Sequence, residues 1–193
     1  MVAYEQLLEA DAVVLFEMSP LIKSYVGQPE KIYYPDGDRT RLYTPDFRVD
    51  LIDGSRILVE IKPERCLAPP DVKHKFERIQ EHLDRLAKPF TILTDKSIRQ
   101  QPRLENLRTL LRDPPLLQVT SDTLRRSLFA LARSRIETLG EATALVGKDV
   151  VFTLLSQGRA TCPLDQEITS CTPFQLTSET QNDWFLFAER HGF

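Results

Sequence analysis

Apolar and polar positions alternate with a period of two along two neighbouring stretches of the chain. Phe47, Val49 and Leu51 alternate with Arg48, Asp50 and Ile52, and Ile57, Val59 and Ile61 alternate with Leu58, Glu60 and Lys62. Each run has the pattern of a strand with two distinct faces. Asp53-Gly54-Ser55 between them is turn chemistry, so the runs predict a β-hairpin. A two-residue Asp53-Gly54 turn would set the apolar face of one strand against the polar face of the other. A three-residue loop, with 52 opposite 56, pairs 47 with 61 and 49 with 59 and puts both apolar sets on one face. A buried face specifies register strongly, so the expectation is a three-residue loop despite the Asp-Gly pair.

Helical periodicity flanks the hairpin. Residues 3–18 predict a helix with Leu7, Leu8, Val14 and Leu15 as its apolar side, stopped by Ser19-Pro20. Lys31 to Tyr34 is a short strand, followed by a turn at Pro35-Asp36-Gly37-Asp38. Asp71 is the expected N-cap of a helix running to about Ala87, in which Val72, Phe76, Ile79, Leu83 and Leu86 form one stripe. Phe90 to Leu93 is a short buried strand. Hairpin, helix and strand in that order imply a crossover and a mixed sheet with helices packed on it. Ser97 to Arg112 continues as a helix interrupted at Pro102.

Asp113-Pro114-Pro115 breaks the pattern and divides the chain into domains 1–113 and 114–193. Beyond it the expectation is a helix from Asp122 to Glu137, a short helix over 139–146 closed by Gly147, and a helix from Asp149 to Gln157. Extended runs follow at 159–164 and 173–176. This is a winged-helix order. The fold class is α/β: a mixed sheet flanked by helices, then a small winged-helix domain. Trp184, Phe185 and Phe187 read as core, with an anchor for a partner as the alternative.

Composition narrows the classes. The chain has 193 residues, a net charge of -3 and three scattered cysteines, Cys66, Cys162 and Cys171, with no C-x-x-C pair. That argues against a zinc site or a disulfide framework and fits a reducing cytoplasm. The apolar run Ala12 to Phe16 is too short for a signal peptide, and nothing reaches transmembrane length, so no membrane role is expected. The overall charge does not advertise nucleic-acid binding, so any DNA contact must come from a local patch. One exists: between residues 73 and 112, ten Lys/Arg stand against five acids. Lys73, Lys75, Arg78 and Arg85 lie opposite the apolar stripe of their helix, where they can meet phosphates. The final helix, Asp149 to Gln157, offers few of the polar side chains that read base edges and reads instead as a protein-docking element.

The hairpin also carries chemistry. Asp46 precedes the first strand, and thirteen residues separate it from Glu60, with Lys62 two further on. The expected register puts Asp46 opposite Lys62 and Glu60 on the diagonal. Two carboxylates on one face suit Mg²⁺, a hard cation that prefers oxygen ligands and keeps several waters; Mn²⁺ is an expected substitute, and the Ile61 carbonyl is a further candidate ligand. Such a metal acidifies water and screens phosphate charge, while Lys62 can position that water or stabilise the pentacovalent phosphorus. The bland alternative is an amphipathic hairpin with a surface Asp–Lys pair. Hydrophobic pattern and constellation ask for the same pairing, which favours a metal-dependent nuclease.

Longer stretches carry a resemblance: Tyr4-Glu5, Val26-Gly27-Gln28-Pro29, Tyr43-Thr44-Pro45-Asp46-Phe47, Val59-Glu60-Ile61-Lys62-Pro63, Phe90-Thr91-Ile92-Leu93-Thr94-Asp95, Asn106-Leu107, and, more loosely, Thr138-Leu139-Gly140-Glu141, Leu155-Ser156-Gln157-Gly158 and Thr172-Pro173-Phe174. They resemble TnsA, the endonuclease subunit of heteromeric bacterial transposases, in the PD-(D/E)XK, restriction-endonuclease-like superfamily. The resemblance implies a Mg²⁺-dependent endonuclease that cuts the 5′, non-transferred strands at transposon ends. It implies as partners double-stranded DNA, a DDE transposase of the TnsB type and an AAA+ ATPase regulator of the TnsC type. It gives Asp46, Glu60 and Lys62 the catalytic core and adds Glu5 as an upstream helix carboxylate at the metal site. The compact chain is similar to the small versions in some transposons, including CRISPR-associated ones. It implies a cytoplasmic protein that joins the nucleoid when active. The competing expectations are a stand-alone restriction-like nuclease and a non-catalytic nuclease fold used for assembly.

Overall fold

A computed structural model of the chain describes residues 2–112 and 119–177, with side chains from residue 6 onward. The expected break at 113 and the aromatics Trp184, Phe185 and Phe187 lie outside the described residues. The described residues form two compact units, one of 2–16 and 21–99, the other of 17–20, 100–112 and 119–177.

The first unit begins with helix α1 (Val2–Met18) and continues through strands β1 (Ile22–Gly27), β2 (Ile32–Asp36), β3 (Arg39–Tyr43), β4 (Phe47–Leu51) and β5 (Arg56–Ile61). Helix α2 (Pro70–Arg85), strand β6 (Phe90–Leu93) and the single helical turn α3 (Asp95–Ile98) follow. A four-stranded sheet has the order β1-β4-β5-β6. Its β5–β6 pair is parallel, joined across α2, and the others are antiparallel. This is the expected mixed sheet. β2 and β3 form a separate antiparallel ribbon.

The hairpin register differs from the expectation by two residues. Phe47 faces Val59, Val49 faces Ile57 and Asp50 faces Arg56, where 61 and 59 were expected opposite 47 and 49. The loop has three residues as expected, but they are Ile52-Asp53-Gly54, closed by Leu51 N–H donating to Ser55 O at 2.9 Å. Local chemistry sets this position. The Asp53 carboxylate accepts from both N–H and Oγ of Ser55, and Gly54 takes φ 88°, a conformation that favours glycine. A shift of two residues keeps each side chain on its face, so the apolar sets still coincide.

Both faces of β5 are covered, against the expectation of one exposed face. On one side Phe47, Val49, Ile57, Val59 and Ile61 are buried, with Phe16 of α1 and Tyr25 of β1 meeting the Phe47 ring edge-on at centroid distances of 5.5 and 6.2 Å. On the other side Leu58 packs with Phe90, with Phe76, Ile79 and Leu83 of α2, and with Ile32, Tyr34 and Tyr43 of the ribbon. β5 is a central strand, and the ribbon and α2 form a second core over the face that carries Glu60. The sequence pattern missed this because the ribbon's own pairing was not foreseen.

Three helix details are corrected. Leu7 is exposed, while Leu8, Ala12, Leu15 and Phe16 form the buried side of α1. Asp71 is not the N-cap of α2: Pro69 holds that place, Pro70 opens the helix, and Asp71 sits in its first turn, where its charge suits the dipole. Leu86 lies past the helix end and is exposed.

The second unit holds α4 (Arg103–Arg112), α5 (Ser121–Arg133), α6 (Leu139–Val146), α7 (Lys148–Ser156) and the paired two-residue strands β7 (Ala160–Thr161) and β8 (Gln175–Leu176). The single interrupted helix expected over 97–112 is two helices, α3 and α4, separated at a cis Gln101–Pro102 bond. Thr138 and Glu141 cap α6 reciprocally, and Gly147, at φ 87°, separates α6 from α7. Asn106 is buried and ties down the 164–168 loop: its amide donates to Leu164 O and Gln166 O, and its Oδ1 accepts from Ile168 N–H. Val150, Val151, Leu154 and Leu155 of α7 are buried. These residues form part of the unit's own core.

Candidate active site

Tyr43 closes β3, and Thr44-Pro45 carries the chain to Asp46 at the mouth of β4. There the sheet's hydrogen bonding gives way to side-chain bonding. Ile61 N–H, the last donor of β5, is taken by Asp46 Oδ2 at 2.7 Å. Continuing the observed register by one step places Asp46 across from Glu60, not from Lys62 as expected. Gln28 N–H donates to Asp46 O at 2.8 Å and anchors the backbone at the same point.

Glu60 is only 7% exposed. Its Oε2 accepts a hydrogen bond from Tyr43 Oη at 2.7 Å. Burial, and then the neighbouring Asp46, push its carboxyl up to about 7; Tyr43, Lys75 and Lys62 pull the other way. Burial likewise pushes the Tyr43 hydroxyl upward, with Glu60 adding to it, so Tyr43 is a donor here and never an anion. A buried carboxyl group beside a second carboxylate forms a place where a positive charge is favoured.

Lys62 follows directly, its N–H donating to Leu93 O at 3.0 Å, and its charge acts on Glu60. The chain then turns away under two ties: Glu64 N–H donates to Asp95 Oδ1 at 2.8 Å, and Lys96 pairs with Glu64 at 2.6 Å. These bonds fix the rim beyond Lys62.

The three expected DNA-contacting cations separate. Lys73 is exposed on α2. Arg78 pairs with Glu81 at 3.0 Å. Lys75 turns to the site: its ammonium lies 5.3 Å from the Tyr43 ring centre and 4.9 Å from that of Phe76, and it acts on Glu60. Seven of the ten cations counted between 73 and 112 have an acidic partner, namely Arg78, Arg85, Lys88, Lys96, Arg99, Arg108 and Arg112. The basic excess read from sequence is therefore largely neutralised in place.

Residues 19–95 match the family described as TnsA-like endonuclease N terminal. This segment is similar to the N-terminal domain of TnsA-like endonucleases. It spans β1 to β6 and contains Asp46, Glu60, Ile61 and Lys62, with Lys73, Lys75 and Arg78 on its helix. Its mixed sheet with helices fits a restriction-endonuclease-like fold, and the match points to a nuclease related to TnsA. Glu5 precedes the matched TnsA-like span, and its side chain lies outside the described residues. No curated protein matches the chain. Among the described residues no helix is long and apolar enough to cross a membrane.

The donor set of the TnsA-like domain fits a hard divalent cation. No group of three or more His, Cys, Asp or Glu side chains converges among the described residues. Mg²⁺ asks for less: one or two carboxylates, with water and substrate phosphate completing the shell. Asp46 and Glu60 supply that pair. Sequence reasoning quoted Tyr43 within its motif but gave it no role. Its partnership with Glu60 spans 17 residues and depends on the ribbon folding over β5, and no local pattern announces it.

Proposed function

We propose that this chain is a Mg²⁺-dependent endodeoxyribonuclease that cuts the 5′, non-transferred strands at transposon ends as one subunit of a heteromeric transposase, with Mn²⁺ able to substitute. The observation that carries the reading is the pairing of Asp46 with buried Glu60 beside Lys62, inside a TnsA-like domain. Mg²⁺ held by Asp46, Glu60 and the Ile61 carbonyl would neutralise phosphate charge and acidify the attacking water. Glu5 is a further candidate ligand. Asp46 and Glu60 hold fixed positions because each accepts a hydrogen bond from the other's neighbourhood, Asp46 from Ile61 N–H and Glu60 from Tyr43. Lys62 positions the water and stabilises the charge that builds on the phosphoryl oxygens. Lys73, exposed on α2, holds the DNA backbone, and Lys75 sits between that helix and the carboxylates.

Specificity comes from partners. The α5–α6–α7–β7–β8 order suits a winged helix, and α7 presents few base-reading groups besides Lys148, Thr153 and, at its C-cap, Gln157. The second unit is accordingly proposed to dock an AAA+ regulator of the TnsC type, while a TnsB-type DDE transposase reads the ends and handles the 3′ strands. The test is end-labelled transposon DNA incubated with the chain in Mg²⁺, with and without the partner transposase. Nicking of the 5′ strand only in the complex supports the reading; robust cutting of plain DNA by the chain alone replaces it with a stand-alone nuclease.

A further inference from the structure

The segment 43–46 grips residues 60–61 at two points. Tyr43 Oη donates to Glu60 Oε2 at 2.7 Å, and Asp46 Oδ2 accepts from Ile61 N–H at 2.7 Å. Pro45 stiffens the link between the two grips. The Asp46 grip belongs to the site already described. The Tyr43 grip is made by a residue to which the nuclease reading gives no part.

We propose that Tyr43 is the positioning residue of the metal site: its hydroxyl holds Glu60 in the one rotamer that presents Oε1 to a divalent cation beside Asp46. The inference rests on the nuclease reading above and deepens it.

Three observations support a role beyond filling space. The ring of Tyr43 is immobilised, because Phe76 and Phe90 meet it edge-on at 6.4 and 6.1 Å, with interplanar angles of 88° and 86°. The Lys75 ammonium lies over the same ring at 5.3 Å. A phenol held this way delivers its oxygen to one fixed place. The acceptor, by contrast, is a flexible glutamate with three rotatable bonds, and freezing it in advance removes a cost that cation binding would otherwise carry. Lastly, the bond occupies Oε2 alone. A carboxylate with one oxygen hydrogen-bonded and the other turned to a metal is the usual arrangement of a ligand with an outer-shell partner, and loss of such a partner typically weakens metal affinity about 10- to 100-fold.

A buried tyrosine that merely satisfies a buried glutamate would stabilise the fold and leave metal affinity alone, so the test reads metal binding directly. Full-length wild-type protein and the variants Tyr43→Phe, Glu60→Gln and Asp46→Asn are titrated with Mn²⁺ by calorimetry, with the Mn²⁺-induced rise in Tm as a second readout. The second readout needs only a melting transition, so it serves even where Tyr43→Phe lowers stability. Tyr43→Phe keeps the ring and its aromatic contacts and removes one oxygen. The proposal expects a Mn²⁺ Kd weaker by about tenfold or more and a smaller Tm rise for Tyr43→Phe, with binding abolished in Glu60→Gln. Unchanged Mn²⁺ binding in Tyr43→Phe, with binding lost in Glu60→Gln and Asp46→Asn, overturns the positioning role and leaves the metal site standing. Equal Mn²⁺ binding, or none, in wild type, Glu60→Gln and Asp46→Asn alike overturns both.

Discussion

The Ile61 backbone N–H donates to Oδ2 of Asp46 at 2.7 Å. The carboxylate proposed as catalytic is thereby built into the end of the sheet, replacing the strand partner that β4 no longer supplies. Asp46→Ala removes the negative charge and the acceptor together; Asp46→Asn removes the charge and keeps an acceptor oxygen. Asp46→Ala is expected to lose about 1–3 kcal/mol of stability through the orphaned Ile61 N–H, and Asp46→Asn less. Nicking should fall more than about 100-fold in both. Denaturant melts beside a nicking assay separate the two effects.

Glu60 makes the metal-free protein sensitive to pH. In the unfolded chain its carboxyl releases its proton near the ordinary value of 4.5; in the folded chain burial and Asp46 hold the proton up to about 7. Between those values the folded state binds more protons than the unfolded state, so stability falls as pH rises through this window. The fall totals roughly 3 kcal/mol above pH 7. Melts of metal-free protein from pH 4.5 to 8 should show this slope, and Glu60→Gln should flatten it. Adding Mg²⁺ at pH 8 should restore stability to the wild type and not to the variant.

The cations of α2 should behave differently from one another. Lys73 is exposed, whereas Arg78 is held by Glu81 and Lys75 lies against Tyr43 and Phe76. Lys73→Ala should weaken DNA binding across sequences and lower the salt slope by about 1. Arg78→Ala should do so less. Lys75→Ala should depress cutting more than binding, because its charge acts at Glu60. Salt titrations of DNA affinity run alongside single-turnover nicking distinguish these outcomes.

Asn106 carries the second unit's loop. Replacing it with Ala leaves Leu164 O, Gln166 O and Ile168 N–H without their partner, at an expected cost of about 2–4 kcal/mol. Metal binding by the TnsA-like domain should persist, which differential melting with and without Mn²⁺ can check.

How far the sequence spoke depends on what each pattern can encode. Alternation at 47–51 and 57–61 fixes which side chains share a face, and that parity held. It cannot distinguish registers two residues apart, and the choice between them fell to Asp53, Gly54 and Ser55, whose side-chain and backbone bonding placed the loop one residue earlier. Asp46 therefore came to face Glu60 in place of Lys62. The crossover over α2 and the parallel β5–β6 pair were legible from element order. The burial of Glu60 was not, since it comes from a ribbon whose strands, 32–36 and 39–43, cover a face that the local pattern marks as polar. Lys75 reads as surface by helical spacing and reaches the site because Tyr43 and Phe76 offer it ring faces.

The most direct test of the account is strand-resolved cutting by the assembled complex. Wild-type chain and Lys62→Ala are each combined with the partner transposase on end-labelled transposon DNA in Mg²⁺, and complex formation and 5′-strand nicking are measured in the same samples. The account predicts equal assembly and 5′ nicking only with wild type; undiminished 5′ nicking by Lys62→Ala would contradict it.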